Sequence, residues 1–146
     1  MLRLPRACYH AIVTHAREEH PLEVCGVVAG PRGTHRPTRW VPLVNAAHSA
    51  TRYEVSSVDL LALYRDLDAR GEELVVVYHS HPSSPPYPSD TDITLASEPA
   101  AHYVVVSPRA GGDRGGIGAS QDVEVRSFRI VDGAVREEPL EVSANG

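Results

Sequence analysis

Residues 74–92, LVVVYHSHPSSPPYPSDTD, join an apolar run to two histidines, four prolines and two aspartates. Leu74, Val75, Val76 and Val77 read as a buried, β-branched strand that runs directly into His79 and His81. Side chains two apart on a strand share a face, about 6.6 Å apart at a 3.3 Å rise. The two imidazoles can therefore converge on one ion where the strand end twists open. Residues 82–88 form a stiff proline-rich loop, and Ser89 opens a helical turn that sets Asp92 on its own side. Two histidines and an aspartate with a fourth position open make the donor set of a catalytic zinc, whereas closed structural sites use four protein ligands and favour cysteine. Each piece alone has a plainer reading. His-x-His also fits a chance pair or two satisfied strand-end histidines, and Ser-x-x-Asp also fits a helix cap, which makes its own demand on the Asp92 carboxylate.

Outward from this stretch the chain alternates helices and strands. Residues 6–19 form an amphipathic helix with Ala7, Ile12, Val13 and Ala16 broadly on one side, closed by His20-Pro21. Residues 24–29, VCGVVA, form a short buried strand stopped by Gly30-Pro31. Residues 39–44 are a second strand and 53–55 a short edge piece. A helix capped by Ser56 or Ser57 runs to about residue 69, with Leu60, Leu61, Leu63, Tyr64 and Leu67 at helical spacing and Gly71 as its stop. After the 74–79 strand, a short helix from Ser89 ends near Glu98-Pro99, and 102–107 is another strand. Residues 110–121 are a glycine-rich loop. Residues 124–131 and 134–142 make a hairpin about Asp132-Gly133. The expectation is one α/β domain over 1–146, a mixed sheet packed with helices, with 143–146 a frayed tail.

The 146 residues suffice for a core without metal or disulfide staples. A net charge of −5 disfavours nucleic acid and anionic membranes as partners. No apolar run approaches the roughly 20 residues of a membrane span, and the first five residues are too short and interrupted for a signal peptide, so the expected location is cytoplasmic. All fourteen basic residues are arginine, which removes lysine Schiff-base chemistry. The two cysteines, Cys8 and Cys25, make neither a disulfide framework nor a C-x-x-C pair.

Taken jointly, His79, His81, Ser89 and Asp92 resemble the motif of the JAMM (MPN-plus) zinc metallopeptidases, and Glu23 in PLEVCGVVAG stands where that family has an upstream glutamate. The resemblance spans roughly residues 5–142. It implies a cytidine-deaminase-like α/β fold, one zinc on His79, His81 and Asp92, Glu23 as general base, and Ser89 helping to stabilise the oxyanion. The near-minimal length leaves little room for the insertions that grip ubiquitin chains. The stretches HPLEVCGVVAG, YPSDTD, EPAAHYVVVS and RSFRIVDGAVREEPLEV resemble the small bacterial Mec-type members. That resemblance implies a ubiquitin-like sulfur carrier of the CysO kind as partner. The expected reaction is hydrolysis of the peptide bond after its C-terminal Gly-Gly, releasing cysteine in cysteine biosynthesis. Oligomeric state is open, and a homodimer is compatible.

Other readings stand beside this one. An isopeptidase acting on a different ubiquitin-like conjugate would use the same residues. A non-catalytic MPN-like scaffold typically lacks the ligands or the glutamate kept here. A Cys25 nucleophile is opposed by its apolar neighbours, which suggest an inert thiol. A zinc nucleoside deaminase needs H-x-E and P-C-x-x-C, and neither occurs. The run GGDRGGIG at 111–118 lacks the strand-to-helix setting and Lys-Ser/Thr of a phosphate loop. His10, His15, His20, His35, His48 and His102 have no partner spacing and read as structural.

Overall fold

The computed structural model describes residues 1–108 and 123–144. In chain order the elements are β1 (Leu2–Pro5), α1 (Arg6–Glu19), β2 (Cys25–Pro31), β3 (Arg39–Leu43), α2 (Ser57–Ala69), β4 (Glu72–Ser80), α3 (Asp90–Leu95), β5 (His102–Pro108), β6 (Val123–Val131), β7 (Ala134–Glu138) and β8 (Leu140–Ser143). Six strands form one sheet in the order β3-β2-β4-β5-β6-β7. The β4–β5 pair is parallel and its neighbours are antiparallel. A parallel pair needs a crossover, and here residues 81–101, including α3, supply it.

Helices cover both faces of the sheet. On one face Cys8, Ile12 and Ala16 of α1 pack against Val28, Val76, Tyr78 and Val104. On the other, Leu63 and Leu67 of α2 pack against Val27 and Ala29, and Ile93 of α3 lies against the cluster of Tyr103, Val105 and Phe128. Strands covered on both faces read as continuous apolar runs, which is why 74–77 and 104–106 show no alternation. Gly26 is forced by the α1 side: a Cβ there would stand 2.5 Å from the Tyr78 ring and hydroxyl. The Tyr78 hydroxyl accepts from Trp40 Nε1 at 2.8 Å and meets His15 Nδ1 at 2.8 Å.

Several boundaries differ from the sequence reading. Residues 53–55 are not a strand, because the Asn45 side chain takes the backbone groups on either side of Tyr53. The second arm of the hairpin is two strands. Pro139, which has no N–H to continue a ladder, separates β7 from β8, and β8 turns away to pair in parallel with β1. Ser143 is thereby held opposite Pro5 rather than frayed, and β1 itself has no counterpart in the sequence reading. Leu60, Leu61 and Tyr64 are exposed on α2, leaving Leu63 and Leu67 as its buried contacts. Helix α3 stops at Leu95, short of Glu98. The 110–121 loop and residues 145–146 lie outside the described residues. Asp132 and Gly133 both have positive φ, as the two-residue hairpin turn requires.

Candidate metal and catalytic site

The ladder between β2 and β4 builds the site. Cys25 pairs with His79 and Gly26 with Tyr78. Beyond the paired segment Val24 N–H donates to Ser80 Oγ at 2.9 Å, and Ser80 N–H donates to the Val24 carbonyl at 3.1 Å. Continued one residue further, that register sets Glu23 opposite His81. Residues directly opposite on antiparallel strands share a face, so Glu23, Cys25, His79 and His81 look together towards the α3 side. The distance of 56 residues between Glu23 and His79 in sequence is thus closed by strand pairing.

The crossover brings in the remaining donors. His81 N–H donates to the Val106 carbonyl at 2.8 Å, holding the end of β4 beside β5. Ser107 Oγ donates to the Ser84 carbonyl and pins the proline loop. Ser89 caps α3 reciprocally: its Oγ accepts from Asp92 N–H at 3.1 Å and its own N–H donates to Asp92 Oδ2 at 2.8 Å. The same Oδ2 lies 2.9 Å from His79 Nε2 and 3.1 Å from His81 Nε2, and the two Nε2 atoms are 3.1 Å apart. Capping and convergence on the histidines therefore coexist on one carboxylate oxygen. The cap uses Ser89 Oγ as an acceptor and leaves the hydroxyl proton free to donate.

These three atoms form a near-equilateral triangle. A cation held tetrahedrally at about 2.0–2.1 Å keeps its donors about 3.3 Å apart, so the spacing of the donor set fits one small ion. His81 Nδ1 meets the Pro85 carbonyl at 2.8 Å. A carbonyl can only accept, so Nδ1 carries a proton, and it is the neutral form of the ring that would present the Nε2 lone pair to an ion. Glu23, 4% exposed, has a buried Oε1 with no hydrogen-bond partner among the described residues. Ligand atoms of Glu23, His79 and His81 lie within 4.8 Å of one another. An unpartnered buried carboxylate oxygen beside two imidazoles is costly unless something else is bound there.

Protonation follows from burial and neighbours. Burial pushes the Glu23 carboxyl up to about 7, with the positive field of His81 opposing and Asp92 adding to it. Burial lowers His79. It also pulls on His81, but the Asp92 carboxylate and Pro85 carbonyl outweigh it and the net shift is upward. Burial alone would raise Asp92, yet hydrogen bonds from both histidines hold it far below the usual carboxylate range. Burial, then Glu23, pushes the Cys25 thiol up to about 12, which leaves no thiolate for nucleophilic work near neutral pH.

All five residues singled out from the sequence are thus brought to one place. Two others carry no such mark in the sequence reading. Tyr53 stacks on His79, ring centroids 4.9 Å apart and planes at 28°; nothing in its spacing points to it. Asn45 holds the loop that carries Tyr53, and its place directly after a strand is the usual context of an Asx turn. Among the other histidines, His15 joins the Tyr78 hydroxyl and His102 meets Glu138 at 2.6 Å, both away from this cluster.

A mixed sheet with helices on both faces is a fold this chain shares with JAB1/MPN domains. A JAB1/MPN domain protein from Archaeoglobus fulgidus superposes with TM-score 0.56 at 18% identity, covering 97% of this chain and 98% of that one. This chain belongs to the prokaryotic homologs of the JAB domain, whose pattern its residues 5–131 match. It is 48% identical over 133 residues to a CysO-cysteine peptidase of Mycobacterium tuberculosis, covering 91% of this chain and 85% of that protein. It is also 38% identical over 103 residues to a desampylase of Haloferax volcanii, covering 67% of this chain and 74% of that one.

Proposed function

We propose that the protein is a zinc metallopeptidase that cleaves the peptide bond after the C-terminal Gly-Gly of a ubiquitin-like sulfur carrier and releases cysteine. The single observation behind this reading is the triangle of His79 Nε2, His81 Nε2 and Asp92 Oδ2, with the unpartnered Glu23 Oε1 beside it. The family and the naming of the mycobacterial relative as a CysO-cysteine peptidase point to the carrier. A cytoplasmic location belongs to the same reading.

His79, His81 and Asp92 would hold the zinc, which when bound polarises the scissile carbonyl and makes a water acidic enough to attack near neutral pH. Glu23 takes the proton of the attacking water on its buried carboxylate and returns it to the leaving amine. Burial raises this carboxyl, to about 7 without a metal, and a base brought towards neutral pH suits both halves of that task. Ser89 turns its free hydroxyl proton towards the oxygen on which negative charge develops. The extended Gly-Gly tail docks beside a strand, where glycines allow close backbone approach. Of the outer strands, β3 is nearest, since its Leu43 end is level with Cys25. A narrow channel for Gly-Gly excludes larger residues by size.

Mass spectrometry of a carrier ending Gly-Gly-Cys, incubated with the enzyme, tests this directly. Loss of one cysteine from it, and little from a Gly-Ala-Cys carrier, is the expected outcome. Indifference to the alanine refutes the channel. No cleavage of either refutes the cysteine adduct as substrate and shifts attention to carriers joined to lysine side chains.

A further inference from the structure

The two histidines of the cluster are oriented by different means. His81 is held through its second nitrogen by the Pro85 carbonyl at 2.8 Å. His79 Nδ1 is buried and has no hydrogen-bond partner among the described residues. Metal-ligating histidines almost always use that second nitrogen to hold their ring, because rotation about the Cβ–Cγ bond is otherwise soft. What lies against His79 is the face of Tyr53, at 4.9 Å between centroids and 28° between planes.

We propose that Tyr53 is a positioning residue whose ring, stacked on His79, aims Nε2 at the point shared with His81 and Asp92, in place of the hydrogen bond that Nδ1 lacks. The proposal rests on His79 being a metal ligand. Stacking restrains a ring without needing a polar partner, and the surroundings are mostly apolar: Tyr53 borders a cavity of about 140 Å³ lined also by Cys25, Leu63, Leu95 and Tyr103, with Ser97 and Glu98 as its polar members.

Tyr53 sits on an irregular segment, so something must hold it. Asn45 does so from both sides. Its Nδ2 donates to the Arg52 carbonyl at 3.1 Å, and its Oδ1 accepts from Glu54 N–H at 3.0 Å. Ala46 N–H adds a bond to the Glu54 carbonyl at 2.8 Å. The same Asn45 Nδ2 donates to the Glu23 carbonyl at 3.0 Å. One amide therefore ties the residues flanking Tyr53 to the backbone of Glu23, so the stack and the carboxylate share a mount.

The test is metal affinity, read by competition of zinc against a chromophoric chelator, with the visible spectrum of the cobalt-loaded protein as second readout. Wild type, Tyr53→Phe, Tyr53→Leu and His79→Ala are compared, and thermal unfolding of the stripped proteins checks the fold. Removing support from a ligating histidine typically weakens metal binding about 10–100-fold. The expectation is about tenfold or more for Tyr53→Leu with an altered cobalt spectrum, and recovery to within about twofold in Tyr53→Phe, which keeps the ring. Wild-type affinity in Tyr53→Leu overturns the proposal. So does equal weakening in Tyr53→Phe, since the hydroxyl would then be the working part. If Tyr53→Leu does not fold, Tyr53→Met, which fills the space without a flat face, carries the comparison. A wild type that binds no zinc, or a His79→Ala that binds it normally, overturns the ligand assignment itself and the positioning role with it.

Discussion

Glu23→Gln should make the metal-stripped protein more stable while removing its activity. Burial lifts the Glu23 carboxyl from its ordinary 4.5 to about 7 in the folded chain. Between those two pH values the folded state holds a proton that the unfolded state has released. Stability from this group is therefore present at low pH and falls as pH rises through that window, levelling off above about 7. At about 1.4 kcal/mol per pH unit, the window is worth about 3 kcal/mol at most. The substituted amide keeps the shape of the side chain and has no charge to bury, so it escapes the loss. Guanidinium unfolding of chelator-treated wild type and variant, from about pH 4.5 to about pH 8, measures the difference. Equal stability at the acidic end and an advantage of about 1–3 kcal/mol for the variant at the basic end are expected. A difference that stays flat across the range, or a variant weaker at the basic end, refutes burial as the cause of the raised pKa. Turnover by the zinc-loaded variant should fall about 10²-fold or more, and near-normal turnover would reject the general-base role.

His81→Ala should lose most bound zinc on metal analysis of the purified protein, and equal zinc in variant and wild type would sink the ligand assignment. Cys25→Ser should retain catalysis to within about threefold of wild type, since a thiol with a pKa of about 12 is no nucleophile near neutral pH; loss of activity in a folded variant would reopen the cysteine mechanism. Gly26→Ala should destabilise by about 1–3 kcal/mol, because the new methyl would lie 2.5 Å from Tyr78. Unchanged denaturant midpoints would show that the ring moves aside freely.

The features legible in the order of residues are local ones. Apolar runs, caps and turn residues act over a few positions, so 6–19, 57–69, the β4 run and the Asp132-Gly133 turn are readable from their neighbours alone. His79, His81, Ser89 and Asp92 are readable for the same reason: they lie within fourteen residues and a stiff loop limits where they can go. Glu23 is legible only through family resemblance, because its partnership with His81 is a matter of strand register across 58 residues. Everything else depends on what long-range packing brings opposite. Pro139 breaks a strand that can leave only because β1 offers a parallel edge. Leu60, Leu61 and Tyr64 have helical spacing but stay exposed, since burial depends on the neighbouring element and not on periodicity. Tyr53 reaches His79 through an Asn45 clamp on irregular backbone. A stack between distant rings has no periodicity, and so leaves no trace along the chain.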